Sequence, residues 1–256
     1  LVFIVSGLGW LSIEYIEAEF SDNIELQLEN DLGSANGRLQ FWLNERKELL
    51  KSLGRDRNIV AASSKLKELS NEFNQDQYSQ TKINLNQIFD EYNYQASSII
   101  DGNGVNIGEF DGHNDLGIVN DIIKDNPELL NKLFDGEVVF VAPIFKEDNI
   151  ETDRSSLMYF LTPIEDSEHN IIAGIVQEID PSFGFSEILQ LSHVGESGES
   201  YIFNRKGRML SNSRFEQDLK KLGIFQTGES EKPFIEIKDP GGNLTTGFKL
   251  NESFDN

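Results

Sequence analysis

Residues 99–108 read IIDGNGVNIG, and residues 202–211 read IFNRKGRMLS. In each, an apolar pair precedes Asp101 or Asn204, two residues follow, and then comes Gly104 or Gly207 before a second strand-like run. A turn-forming Asx residue followed by a glycine free to take positive φ, with apolar residues on both sides, is a β-hairpin pattern. Two occurrences about a hundred residues apart suggest two copies of one small α/β module in tandem. Asx-x-x-Gly turns are also common, so coincidence stays open on this pattern alone.

Downstream of the first hairpin, residues 116–134 carry Leu116, Val119, Ile122, Ile123, Leu129, Leu130 and Leu133 at helical spacing. Pro127 starts a second helical piece within this span and Gly136 ends it. Three apolar runs follow, EVVFVAPIF, LMYFLTPI and IIAGIVQEI, all rich in β-branched and aromatic residues. The polar links between them are too short for parallel crossovers, so the runs read as antiparallel neighbours. With the hairpin they predict a five-stranded antiparallel sheet with helices packed on it, an α+β module. FGFSEILQL then reads as a connecting helix, and KPFIEIKDPGGNLTTGFKL supplies strand material after the second hairpin.

Upstream, no Pro or Gly interrupts residues 14–32, and Leu28, Leu32, Ala35, Leu39, Trp42, Leu49 and Leu53 mark the stripe of a long amphipathic helix. Gly33 and Gly37 weaken that helix without demanding a break. Two shorter helical segments follow within residues 58–91, separated by QDQYSQT, which reads as a polar loop. Residues 1–13, LVFIVSGLGWLSI, carry no charge. At ~1.5 Å per residue they span roughly 20 Å, short of the ~30 Å hydrocarbon core. They read as the outer half of a membrane helix with Trp10 and Tyr15 near the interface, the alternative being a buried N-terminal helix.

Composition narrows the function. The chain has 256 residues, 44 acidic against 22 basic, for a net charge of −22. Such a chain repels phosphate backbones, which argues against a nucleic-acid partner. With no Cys, it has no disulfide, thiolate metal site or cysteine nucleophile. His113, His169 and His193 stand apart, without metal-ligand spacing. No nucleophile elbow or Walker loop occurs; Gly195-Glu-Ser-Gly198 lacks the lysine of a phosphate loop and reads as a turn. The DPGGNLT segment lacks the alternating acids of a calcium loop and also reads as a turn. No cofactor or metal is implied, and no catalytic residue stands out.

The uncharged stub, the long exit helix, the five-strand module and the second hairpin resemble a double Cache sensor domain. These are the PAS-like extracytoplasmic regions of bacterial membrane receptors. The most specific piece is GESGESYIFNRKGRMLSNSRF, residues 195–215. It is similar to the Gly-x-x-Gly-Glu-[Ser/Thr]-Tyr opening of a membrane-proximal Cache module followed by Ser-x-Ser-Arg-Phe, here Gly195, Gly198, Glu199, Ser200, Tyr201, Ser211, Ser213, Arg214 and Phe215. IDPS at 179–182 resembles the end of the last distal strand, and DPGGNLTTG at 239–247 a segment before further proximal strands.

The resemblance implies two tandem PAS-like modules after a long N-terminal helix: a partial membrane helix at 1–13, a stalk helix at 14–57, a membrane-distal module at 58–187, and the start of a proximal one at 188–256. It implies a non-enzymatic sensor at the cell membrane, periplasmic or extracellular, with a small-molecule ligand, membrane attachment through the N-terminal helix and a homodimer. An output domain (histidine kinase, nucleotide or diguanylate cyclase, or chemoreceptor) would lie beyond residue 256. The distal pocket would sit between the sheet and residues 108–136, with Tyr94, Tyr159, Asp180 and Arg154 as candidate ligand contacts: rings with a polar handle, a carboxylate for a cationic group and a guanidinium for an anion. Amino-acid sensing is not carried over, because no Arg-x-Trp occurs there and Trp10 and Trp42 both lie on the N-terminal helix. Two other readings stay open, a membrane-anchored extracellular hydrolase working through a carboxylate pair, and a non-sensing structural ectodomain.

Overall fold

The computed structural model describes residues 2–71, 74–91, 98–110, 116–144, 157–181, 184–191, 198–205, 207, 209–211 and 213–221, with backbone alone at 2–18, 21, 71, 216 and 220. The first element, α1 (Val2–Leu53), is one unbroken helix of 52 residues. Gly33 and Gly37 do not interrupt it. No helix among the described residues is long and apolar enough to cross a membrane.

The packed face of α1 holds Ala35, Leu50 and Leu53, all buried, with Trp42 and Leu39 half-buried beside them. Leu49, expected on this stripe, is exposed, and Leu50 takes its place in the core. The two side chains point about 100° apart around the helix, so only one of them can face the sheet.

Helix α1 ends at a corner where Asp56 caps the next helix, α2 (Arg57–Asn71): its carboxylate accepts hydrogen bonds from the backbone N–H groups of Asn58 at 2.8 Å and Ile59 at 3.3 Å. The stretch QDQYSQT is not a loop. It forms the first turns of α3 (Gln75–Glu91), with Tyr78 and Thr81 buried. Asn74 supplies the start signal, its side-chain oxygen accepting from Gln77 N–H at 3.1 Å.

The sheet has five strands: β1 (Ser98–Ile100), β2 (Asn106–Glu109), β3 (Val139–Ile144), β4 (Leu157–Glu165) and β5 (Ile171–Ile179). All pairs are antiparallel, in the order β2-β1-β5-β4-β3. The three apolar runs thus pair as expected, with Phe140 opposite Phe160 and Leu161 opposite Val176. The first strand then inserts beside the last, Ile99 opposite Ile175.

Alternation along the strands divides the core into layers. Phe160, Ile164, Ala173, Ile175 and Ile99 face α1, α2 and α3, meeting Leu50, Leu53, Ile59, Leu66, Leu85 and Phe89. Trp42 packs edge-on against Phe160, with ring centroids 6.1 Å apart. Each such fully buried Leu, Ile or Phe contributes about 1.5–3 kcal/mol. The other face, carrying Ile100, Val139, Tyr159, Leu161 and Val176, is covered by α4 (Asp121–Asp125) and α5 (Glu128–Phe134). Met158 and Ala35 form a third cluster with Phe185 and Leu189 of α6 (Phe185–Gln190). Among the described residues the last helix is α7 (Glu216–Lys221), which follows the second hairpin.

The helix expected to begin at 116 starts later. Residues 116–119 form a turn and a bridge, Val119 opposite Val105, and Asn120 caps α4. The break at Pro127 stands where it was expected.

Candidate functional site

The first hairpin is held by one aspartate. The Asp101 carboxylate accepts from the backbone N–H groups of Asn103 at 2.8 Å and Val105 at 2.9 Å, and its carbonyl accepts from Gly104 N–H at 3.0 Å. Gly104 sits at φ 77°, a left-handed conformation that favours glycine. In the second hairpin Gly207 sits at φ 78° and donates its N–H to the Asn204 carbonyl, also at 3.0 Å. Beyond that turn Phe203 bridges antiparallel to Met209. The two sequence repeats therefore have matching turn geometry.

Around the first turn lies a polar knot. Asn120 donates to Ser98 Oγ and to Asn106 Oδ1, both at 3.0 Å, while its own oxygen accepts from Ile122 N–H at 3.2 Å. Ser98 and Asn106 are buried, so these bonds satisfy groups that water does not reach.

Of the four predicted ligand contacts, Tyr159 is buried on the α4–α5 face, packed among Ile100, Leu133 and Val176. Asp180 is half-buried one residue beyond Ile179, which pairs with Met158, so it lies at the same end of the β4–β5 ladder as Tyr159. Tyr94 and Arg154 lie outside the described residues. Tyr159 stands in a mainly apolar layer.

An open groove lies elsewhere, between α1 and residues 198–203. It encloses about 430 Å³ and is walled by Leu28, Leu32, Ala35 and Leu39 on one side, and by Tyr201, Ile202 and Phe203 on the other. Asp31, Asn36, Glu199 and Ser200 add polar atoms, and Leu189 of α6 closes part of the floor. Leu28 and Leu32 continue the packed face of α1 toward its N-terminus and are 52% and 69% exposed.

The wall of this groove is built by the most distinctive sequence element. Glu199 Oε1 accepts from Arg214 N–H at 2.7 Å, Ser211 Oγ from Ile202 N–H at 3.1 Å, and Ser213 Oγ from Phe215 N–H at 3.1 Å. The Arg214 guanidinium lies 4.7 Å from the Phe215 ring centroid. The Gly-Glu-Ser-Tyr and Ser-x-Ser-Arg-Phe pieces are thus tied to each other through side chain to backbone bonds. The groove escaped sequence reasoning. Its available signals were the period-two aromatic pair Tyr201 and Phe203 and the overrun of the α1 stripe beyond the core.

Among the described residues, no group of three His, Cys, Asp or Glu side chains is placed to hold a metal ion. Glu165 and Asp166 have carboxyls held below the usual range. Glu165 is lowered first by the His169 hydrogen bond and then by that from Arg55, Asp166 by backbone and side-chain bonds from Asn170. A general acid at neutral pH needs the opposite shift. Burial pushes the Tyr78 hydroxyl up, with the Glu109 charge adding to it and a backbone hydrogen bond at Glu109 opposing it.

No protein-family model matches the chain, and no curated protein matches it in sequence.

Proposed function

We propose that this chain is the extracytoplasmic ligand-sensing region of a bacterial membrane signalling protein, built from a long helix and two tandem PAS-like modules. The observation that carries the reading is the pair of matching turns, Asp101–Gly104 and Asn204–Gly207, each with its glycine at φ near +77° and the same Asx carbonyl bond. The first opens a five-stranded antiparallel sheet covered by helices on both faces, the arrangement that a complete sensor module requires. The second follows a connecting helix, as a tandem copy would.

In this reading a small molecule binds the distal module between the sheet and α4–α5, near Tyr159 and Asp180. It favours a closed arrangement over an open one, and that differential affinity shifts the equilibrium. Helix α1, whose C-terminal half packs on the sheet, carries the displacement to the membrane and, within a homodimer, to an output domain. The test is a thermal-shift screen of small-molecule libraries against the 256-residue chain, repeated with Tyr159→Phe and Asp180→Asn. A ligand that raises Tm in the parent chain and loses its effect in either variant supports the reading. Hydrolysis of ester, glycoside or phosphate substrates, without any stabilising ligand, sinks it.

A further inference from the structure

We propose that the groove between α1 and residues 198–203 is a second binding site, and that it takes a cationic amphiphile: an apolar body carrying one positively charged nitrogen. Its volume of about 430 Å³ falls within the usual span of small-molecule clefts, about 300–1,000 Å³. Leu28, Leu32, Leu39 and Leu189 offer the apolar floor that an alkyl or aryl body needs. Among the described residues the lining holds two carboxylates, Asp31 and Glu199, and no lysine or arginine.

Neither carboxylate makes an ion pair among the described residues. The partner of Glu199 is a neutral backbone N–H, which positions the group without cancelling its charge. Two negative charges against an apolar wall disfavour an anionic ligand and favour a cation, more strongly than in open water because the wall lowers the local dielectric. Tyr201 and Phe203, with ring centroids 6.3 Å apart, add π-faces that attract ammonium groups. The net charge of −22 draws cations toward the surface from a distance. Both walls belong to different parts of the chain, so a bound molecule bridges the long helix and the second hairpin. The site stands apart from the distal module and does not depend on the sensor reading.

The experiment is isothermal titration calorimetry of the 256-residue chain with decyltrimethylammonium and with decyl sulfate, both below their micelle concentrations. The expected result is one site at which the cation binds at least about tenfold more tightly than the anion, a difference of one decade in Kd. Asp31→Asn and Glu199→Gln should each weaken the cation several-fold and bind decyl sulfate no more weakly than the parent chain does. Glu199→Gln keeps an oxygen to accept from Arg214 N–H, so the wall stays built, and circular dichroism and Tm of both variants check this. Equal binding of cation and anion, or undiminished cation binding in the double variant, overturns the proposal. So does a dimer broken by Leu32→Asp together with no cation binding, which would give the groove to a second copy of the chain.

Discussion

Gly54 and Pro163 meet backbone to backbone: a Cβ built on Gly54 would fall well inside contact distance of the Pro163 carbonyl oxygen. The same corner carries a hydrogen bond from Glu165 N–H to the Gly54 carbonyl at 3.0 Å, and Arg55 donates to Glu165 through Nε at 2.8 Å and a terminal nitrogen at 2.7 Å. The end of the long helix is therefore fastened to the β4–β5 hairpin by shape and by polar bonds together. Because the obstructing atom belongs to the backbone of a central strand, neither side can yield cheaply. Gly54→Ala should cost about 1–3 kcal/mol by overpacking, read as a lowered urea midpoint. An unchanged midpoint would mean that the corner is looser than described.

Glu165 gives this corner a pH dependence. Its carboxyl is lowered by the hydrogen bond with His169 first and that from Arg55 second. A carboxyl with a depressed folded-state pKa stabilises the fold above its unfolded value, near about 4.3, and that contribution is lost as pH falls through the lower folded value. Glu165→Gln should therefore flatten the acid side of the stability profile below about pH 5, while near neutral pH it removes the full contribution. Parallel profiles for the two proteins across pH 3–7 would show that Glu165 is not a source of the acid sensitivity.

The polar knot under the first hairpin predicts a different signature. Asn120 does three things at once: it caps α4 and donates to both Ser98 and Asn106. Asn120→Ala loses the cap and leaves the buried Asn106 oxygen without this donor, at a combined cost of about 2–4 kcal/mol. Asn120→Asp keeps the cap but sets a carboxylate against the Asn106 oxygen, so it should recover only part of the loss, and more of it at acid pH where the carboxyl is neutral. Full recovery at neutral pH would show that capping alone matters.

What was legible in the sequence, and what was not, follows from the range of the forces. The strand runs around Phe140, Phe160 and Ile175 were readable because alternation and β-branching are local, and their short links left only antiparallel pairing. The Asp101–Gly104 turn was readable because its chemistry lies within a few residues. Tyr78 was misplaced in a loop because the polar residues around it mask a helix whose buried side is fixed by contact with the core, a tertiary effect. Leu49 was preferred to Leu50 because a single stripe of leucines does not set its own phase; the sheet it meets does. The start of α4 slipped because Val119 pairs with Val105, a bridge that only the folded turn creates. The groove was invisible for the same reason, since Asp31 and Glu199 come together only when the second hairpin lies along α1.

The first turn predicts a substitution cost made of two separable parts. Gly104 and Gly207 both sit at positive φ, so replacing either by alanine should cost about 1–2 kcal/mol for the left-handed backbone alone. At Gly104 the surroundings add a second cost. A Cβ on Gly104 would lie 2.7 Å from Ile123 Cγ2, on a buried side chain of α4. Gly104→Ala must therefore also displace Ile123, adding overpacking of about 1–3 kcal/mol. A double-mutant cycle separates the two terms: with Ile123→Ala in place, the crowding part of the Gly104→Ala cost should vanish and the backbone part persist, leaving the pair less destabilised than the sum of the singles. Additive costs would place Ile123 out of reach of residue 104 and remove the link between the hairpin and α4. Strong coupling would show that the first turn is buttressed by a helix, so that motion of α4 is felt at the start of the sheet.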